Sequence, residues 1–462
     1  MAKAFRRNRR SQFSRLSLIL PEIKELLSED KKDELKEIFY DYEPIEVAEA
    51  LKEFSLKDKV TLFSLWDVDF AADVFEKMDK EDQLTLLGAV DEAHRGKILD
   101  ELAPDERVDL FEQLPKEMVT RFLSIMEEEE AEDTRQLMTY ESNTAGGRMT
   151  TEFACAKEEM SVEEALRNLR KTAKGLEMVY YVYVVNKEDK LVGVVSLKEL
   201  ILAEPEEKIN EIMHTNLITI PVDMDQEQVA KELAKYDFLA LPVVDNSERI
   251  KGIITVDDII DVIKEENTED MYKFGAAGGH TEEYISAKPS SIAKHRITWL
   301  LILVVTGFIS GGILENFSFA LKRVIALSFF IPLLMDSAGN AGTQAATVMV
   351  RGLAVGEIRI GDIWRVARKE LAVGTMLGIV LGALALTRAL VLQKSPLLGL
   401  TVGISMLATV TVSTCLGSIL PLICKRLGVD PAIVSGPLIT TVVDITSLLI
   451  YFEIARCLLG LF

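Results

Sequence analysis

The 462-residue chain has four cysteines, Cys155, Cys415, Cys424 and Cys457, and no two of them stand as Cys-x-x-Cys. That spacing argues against a zinc site and against a disulfide framework. The four histidines, His94, His214, His280 and His295, are equally scattered, which gives little support to a soft-metal centre. No nucleophile–base pair and no phosphate-binding loop stands out, so the residues do not point to an enzyme. A signal-peptide core is missing too: the basic start "MAKAFRRNRRSQFSR" runs into the short "LSLIL" and then "PEIKELL". This start is expected to stay in the cytoplasm, either as a disordered arm or against anionic lipid headgroups. Positive charge is scarce in the first part of the chain. Residues 295–462 hold 13 Lys+Arg against 8 Asp+Glu, a net +5; with −21 overall, residues 1–294 carry −26. Such a module repels phosphates, which argues against nucleic acid as a partner. Its acidity serves solubility or attracts multivalent cations.

What is present falls into repeats. Two adjacent apolar residues and a third, three further on, recur every twelve residues: Ile38-Phe39/Tyr42, Ala50-Leu51/Phe54, Leu62-Phe63/Trp66, Val74-Phe75/Met78, Leu86-Leu87/Val90, Ile98-Leu99/Leu102, Leu110-Phe111/Leu114 and Phe122-Leu123/Met126. Each unit fits one helix face, and twelve residues leave room for about two turns and a tight connection. A stack of short helices follows, each burying its face on its neighbours. A second repeat pairs "MTTEFACAKEEMSVEEALRNL" at 149 with "MHTNLITIPVDMDQEQVAKEL" at 213, and "YVYVVNKEDKLVGVVSLKELI" at 181 with "LPVVDNSERIKGIITVDDII" at 241. Each copy reads as a strand, a helix, a hairpin and a second helix. With the endings Gly193 to Glu199 and Gly252 to Asp258, this resembles a tandem pair of CBS domains, which serves as a ligand sensor or as a packing and dimerisation module.

A linker helix, "DDIIDVIKEENTEDMYKF", covers 257 to about 274. Asp258, Asp261, Glu265 and Glu269 share one face, and Glu266 and Asp270 form a further i,i+4 pair. Such like charges repel by a few tenths of a kcal/mol per pair, and Lys264 and Lys273 are expected to offset little of it. Either water or bridging cations cover this face.

Five apolar segments follow, roughly 297–314, 324–350, 370–392, 397–424 and 431–459, each able to cross a bilayer. Pro332, Gly339, Gly342, Pro421 and Pro437 interrupt them. Arg351, Arg359, Arg365, Arg368 and Lys369 in one connection, and Lys425 and Arg426 in another, put those loops in the cytoplasm by the positive-inside rule. The acidic module is then inside and the C-terminus outside. Polar residues cluster at Asp336, Asn340, Thr343 and Gln344 and at Thr440, Thr441, Asp444 and Thr446, while Lys and Arg are absent from 324–350 and 431–455. The threonines suit helix packing. Asp444, in mid-membrane, calls for a bundle interior or a water-filled path. A lining of oxygens favours a hard cation over an anion. One Asp per chain is a weak site, whereas two chains about a two-fold axis would pair Asp444 with its mate, and that ligand count suits Mg²⁺ better than Ca²⁺.

In domain order and in the motifs "PLLMDSAGNAGTQ" and "DPAIVSGPLITTVVD", the chain resembles the MgtE family of Mg²⁺ channels over essentially its whole length. The resemblance implies a multidomain membrane protein: a basic arm (1–20), an all-α superhelical N domain (21–146), two α/β CBS domains (147–204 and 205–264), a connecting plug helix (265–294) and a five-helix transmembrane domain (295–462). It implies a homodimer in the cytoplasmic membrane with its pore on the two-fold axis, Asp444 holding hydrated Mg²⁺ and Asn340 nearby. It implies regulatory Mg²⁺ at Asp73, Asp105, Asp109, Asp258, Asp261, Glu266, Glu269, Asp270 and Asp430, closing the pore when cytosolic Mg²⁺ is high. ATP in the CBS pair is implied as well, with Tyr181, Lys198 and Glu199 as candidates. Two positions depart from the family's pattern: Gly436 stands where some relatives carry Asn, and Asp73 replaces a Glu, which shortens one ligand arm. Other readings are a channel for Co²⁺ or Mn²⁺, an anion channel, for which the lining has the wrong charge, and a membrane-tethered metal sensor, which leaves Asp444 unexplained.

Overall fold

The structure, a computed structural model, describes residues 15–29, 31–277, 287–434 and 436–461. They form two compact units, Met1–Ile263 and Lys264–Phe462. The basic arm as far as residue 14, and residues 278–286 of the connecting segment, lie outside the described residues.

In the first unit the chain opens with helices α1 (Arg15–Ser28) and α2 (Lys32–Phe39). Residues 15–20 of the expected arm are helical: Leu16 is buried and "LSLIL" continues through Pro21 into "PEIKELL" as one helix. Eight short helices follow: α3 (Pro44–Leu51), α4 (Leu56–Leu65), α5 (Val68–Glu76), α6 (Lys80–Ala89), α7 (Glu92–Glu101), α8 (Pro104–Glu112), α9 (Lys116–Leu123) and α10 (Glu128–Leu137). Their first residues stand twelve apart. The start signals are local: Pro at the first turn of α3 and α8, where its missing N–H costs nothing, and side-chain caps from Ser55, Asp67 and Asp91. Successive helices pack on the next but one, α3 on α5 and α5 on α7, and the repeated apolar triplets form one continuous core.

Two α/β repeats complete this unit. The first is β1 (Phe153–Lys157), α11 (Val162–Thr172), β2 (Met178–Val185), β3 (Leu191–Ser196) and α12 (Leu197–Leu202), followed by the single turn α13 (Ile209–Ile212). The second is β4 (Ile220–Pro221), α14 (Gln226–Tyr236), β5 (Ala240–Val244), β6 (Ile250–Thr255) and the start of α15 (Val256–Phe274). In each, a parallel pair is extended by an antiparallel hairpin, orders β1-β2-β3 and β4-β5-β6. The repeats interlock. Thr150, before the first, bridges Ile253 of β6, and His214, before the second, bridges Val194 of β3. A Cβ on Gly252 would lie 2.5 Å from the Thr150 carbonyl oxygen, so that crossing requires glycine.

The second unit holds the rest of α15 and five apolar helices long enough to cross a membrane. They are α16 (Pro289–Asn316), which the short α17 (Ser318–Arg323) follows, then α18 (Ile331–Ala354), α19 (Ile363–Gln393), α20 (Pro396–Arg426) and α21 (Gly436–Leu459). The helix expected to begin the connecting segment over 265–294 runs as far as Phe274, after which Ala276, in the left-handed region, turns the chain. Pro332 and Pro437 do not interrupt helices; they sit in the first turns of α18 and α21, where proline fits. Of these three prolines, Pro421 lies in a helix interior, that of α20. At the centre, α20 presents Thr401, Ser405, Thr409 and Ser413 at four-residue intervals, all buried. Its neighbours are α18, α19 and α21. Gly342 allows the close approach, since a Cβ there would meet Val443 at 3.0 Å and the Ser413 carbonyl oxygen at 3.3 Å.

Candidate cation sites

The first unit brings carboxylates together where α8 begins and where β6 passes into α15. Asp105 and Glu106 occupy the first turn of α8, Asp257 and Asp258 that of α15. An N-terminal turn accommodates one acidic charge well, but here several face one another. Asp105 Oδ1 is buried without a hydrogen-bond partner. Burial holds its carboxyl well above the ordinary range, and the charge of Asp258 adds to the rise. Asp258 Oδ2 accepts from Thr255 Oγ1 at 2.5 Å, yet burial, with Asp257 and Glu177 beside it, lifts its pKa to about 6. Glu106 is raised by burial, with Asp109 and Asp261 adding charge. Desolvated like charges of this kind call for a counter-cation or a proton.

Not all expected residues join this cluster. Asp109 accepts from Arg148 Nη1 at 3.3 Å and lies 3.8 Å from Lys80 Nζ; Arg148 Nε also donates to Gln226 at 3.0 Å. Organic cations thus already neutralise Asp109. Asp73, on α5, responds to burial and to Asp69, Lys77 and Asp67, a separate group. Three carboxylates that the sequence pattern did not mark belong here: Glu76, half-buried and raised to about 7 by desolvation with Glu106 and Glu177 nearby; Glu152, half-buried and also about 7; and Glu177, raised at the exposed rim. Their desolvation comes from packing between elements distant in sequence, which leaves no periodic trace. Among the described residues, no three His, Cys, Asp or Glu side chains converge to hold one metal ion.

In the second unit, Lys273 departs from expectation. Its ammonium is bound 2.6 Å from Glu269 and 2.8 Å from Asp430, so it neutralises two candidate ligands at once. Burial works against its charge, but the two carboxylates more than offset that and raise its pKa above the ordinary lysine value. Glu266 and Asp270 lie on the same stretch of α15.

The membrane cluster forms where α18 meets α21. A Cβ on Gly339 would lie 3.0 Å from Thr440 Cγ2 and 3.9 Å from Asp444 Oδ1, so the carboxylate stands against a bare stretch of helix. Thr343 and Thr440 hydroxyls are 3.4 Å apart. Asp444 Oδ1 is buried with no partner. Thr440, Thr441 and Thr446 hydroxyls donate to the carbonyls of Gly436, Pro437 and Val442 on their own helix, in line with a packing role. Asn340 lies on an exposed stripe with Asp336 and Gln344, spaced by four, and is not hydrogen-bonded to Asp444.

The nucleotide candidates lie around one junction. Glu199 closes a capping box with Ser196 and accepts from His214 Nε2 at 2.6 Å. Lys198 follows on α12, and Tyr181 pairs with Ser196 across the hairpin. The three therefore surround the junction of β3 and α12.

Comparison with known proteins bears on the whole chain. Residues 331–454 match the divalent cation transporter family, 42–143 the MgtE intracellular N domain, and 145–206 and 209–265 the CBS domain. The magnesium transporter MgtE of Thermus thermophilus is 37% identical over 95% of this chain and 98% of its own length. That of Bacillus subtilis is 37% identical over 93% of this chain and 95% of its own. Among solved structures, the soluble part of a magnesium transporter superposes with TM-score 0.51 at 34% identity, over 54% of this chain and 97% of that one. The cytosolic domain of the Mg²⁺ channel MgtE in complex with ATP superposes with TM-score 0.50 at 34% identity, over 53% and 99%.

Proposed function

Because the chain belongs to the MgtE family of magnesium transporters, a family of transporters and not of enzymes, we propose that it is a Mg²⁺ channel, closed by cytosolic Mg²⁺ at its acidic surfaces. The observation that carries the transport reading is the Asp444 carboxylate oxygen, buried without a partner beside Gly339 in an apolar bundle. A lone carboxylate there costs several kcal/mol unless it meets a cation or water. Its neighbours offer oxygen and no basic group, which suits a hard divalent ion retaining part of its hydration shell.

The working unit is a homodimer. Asp336, Asn340 and Gln344 form a polar stripe exposed on a membrane helix, and lipid is a poor neighbour for it. A second copy about a two-fold axis would cover the stripe and bring two Asp444 side chains to one path, with Asn340 beside them. The protein lies in the cytoplasmic membrane with the first unit inside and the C-terminus outside, as the basic connections between α18 and α19 and after α20 suggest.

Gating follows from charge. Mg²⁺ between Asp105 and Asp258, whose burial already disfavours two negative charges, would hold α8 and α15 together. Asp261, Glu266, Glu269, Asp270 and Asp430 extend the acidic surface along α15 towards the last membrane helix, whereas Asp109, paired with Arg148 and Lys80, and Asp73, in its own group on α5, would take Mg²⁺ only by displacing or adding to those partners. Cytosolic Mg²⁺ is millimolar, so each site needs only about −4 kcal/mol. Several weak sites together shift the closed–open balance by the roughly 5 kcal/mol a near-complete switch requires. ATP bound near Tyr181, Lys198 and Glu199 would stabilise the CBS pair that carries α15. Co²⁺ or Mn²⁺ as cargo is the alternative within the same chemistry.

The test is flux of Mg²⁺ into liposomes holding the purified full-length chain. Asp444→Asn keeps the shape and removes the charge, so uptake should collapse while the protein remains folded. Normal uptake by this variant would overturn the pore assignment, and Co²⁺ flux without Mg²⁺ flux would establish the alternative.

A further inference from the structure

Helix α15 ends beside the last membrane helix: a Cβ on Gly436 would lie 3.8 Å from the Phe274 ring. One residue earlier, Lys273 Nζ stands 2.6 Å from Glu269 Oε1 and 2.8 Å from Asp430 Oδ2. The other Asp430 oxygen accepts from Ala432 N at 2.8 Å. The turn that leads into α21 thus fixes the carboxylate and aims it at the ammonium. Lys273 at 31% exposure and Asp430 at 34% are partly withdrawn from water, while Glu269 is exposed at 47%. Glu269 and Asp430 come from separate segments and carry like charge, so without a cation between them they would repel. Two carboxylates from different segments sharing one cation is the pattern of a metal bridge, here made by a side chain.

We propose that Lys273 is a tethered cation that takes the place of a bridging metal between α15 and the start of α21, docking this end of the acidic helix at the last membrane helix without Mg²⁺. The inference rests on the gating reading above and names a division of labour within it. Asp105 and Asp258 carry the response to Mg²⁺, while the far end of α15 stays anchored through a charge that cannot dissociate into solution. Loss of Mg²⁺ would then pivot the helix about its C-terminal end and not release it. An ammonium suits an anchor: it has three rotatable donors and asks for no fixed coordination geometry, unlike Mg²⁺.

The experiment compares the full-length wild type, Lys273→Gln, which removes the charge, and Lys273→Arg, which keeps it. Two readouts are taken across graded Mg²⁺ starting from EDTA: the rate of proteolytic cleavage within 264–277, and the Mg²⁺ concentration that halves flux in liposomes. For a partly exposed pair, an effect of about three- to five-fold is expected. In EDTA, Lys273→Gln should be cleaved faster than wild type by that factor, and Lys273→Arg at the wild-type rate. Added Mg²⁺ should restore protection to Lys273→Gln, because the vacated carboxylates then take a metal, and its half-closing concentration should rise. Wild-type cleavage of Lys273→Gln in EDTA together with an unchanged half-closing concentration would overturn the proposal while leaving Mg²⁺ gating intact. If flux of the wild type itself ignores Mg²⁺ but the difference in EDTA persists, the gating reading fails and the anchor stands.

Discussion

Replacing Glu76 by Gln should stabilise the first unit at neutral pH when no divalent cation is present. Glu76 lies at the end of α5, where its Oε1 accepts from Ala103 N at 3.1 Å, just before α8. Burial, with Glu106 and Glu177 nearby, raises its pKa from 4.5 to about 7. A rise of that size corresponds to about 3 kcal/mol at most. The sign follows from the direction. A carboxyl that holds its proton more tightly when folded contributes stability fully present below pH 4.5, lost as pH rises through about 7. Gln keeps the acceptor for Ala103 and never ionises. The variant and the wild type should therefore melt together near pH 4 and separate above pH 6, the variant higher by several degrees, at about 2–4 °C per kcal/mol for a unit of this size. Melting of the full-length protein, followed by a probe in the first unit, gives the measurement. Saturating Mg²⁺ should shrink the gap, because a cation near Asp105 and Asp258 compensates the same field. A Glu76→Gln protein that melts below wild type at pH 8 in EDTA would refute the account, since capping would then outweigh charge.

Neutralising Asp258, Asp261, Glu266, Glu269 and Asp270 together should leave the channel open at high Mg²⁺, read as flux in liposomes; closing with wild-type Mg²⁺ dependence would show that water alone covers that face. Asp444→Cys should crosslink to its mate with short bifunctional reagents in the membrane, and a conducting monomer in mild detergent would defeat the two-fold assembly.

The helical stack was readable because each of its signals is local. Pro44, Pro104, Asp67 and Asp91 mark starts, and the triplets between them mark the buried face. The two α/β repeats and the five apolar helices were legible for the same reason, a pattern repeated at fixed spacing. Where the residues carry two meanings, the reading shifted: Pro332 and Pro437 start helices, since a proline in an apolar run either breaks or begins one. The acidic cluster was not legible from spacing. Asp105 and Asp258 are 153 positions apart, and only the family resemblance joined them beforehand. Glu76, Glu152 and Glu177 were missed because carboxylates are common on surfaces and only tertiary packing brings these together. Lys273 was undervalued for a related reason: counted along its own helix it faces one acid at i−4, and its second partner, Asp430, comes from another segment.

The interlocking of the α/β repeats has a consequence during synthesis. The segment at Thr150 closes against Ile253 and not against its own repeat. A ribosome at 5–20 residues per second needs roughly 5–20 s to make the hundred or so residues between them. For the later part of that interval the helical stack, complete by Leu137, and the sheet β1–β3, complete by Ser196, have been made, while Thr150 still has nothing to close upon. The apolar α16 begins at Pro289, some 36 residues after Ile253, about the length an exit tunnel shields. The two repeats are thus able to lock together as the first membrane helix meets the insertion machinery, and slowing translation between 150 and 253 should lengthen the time that Gly252 and Thr150 wait for one another.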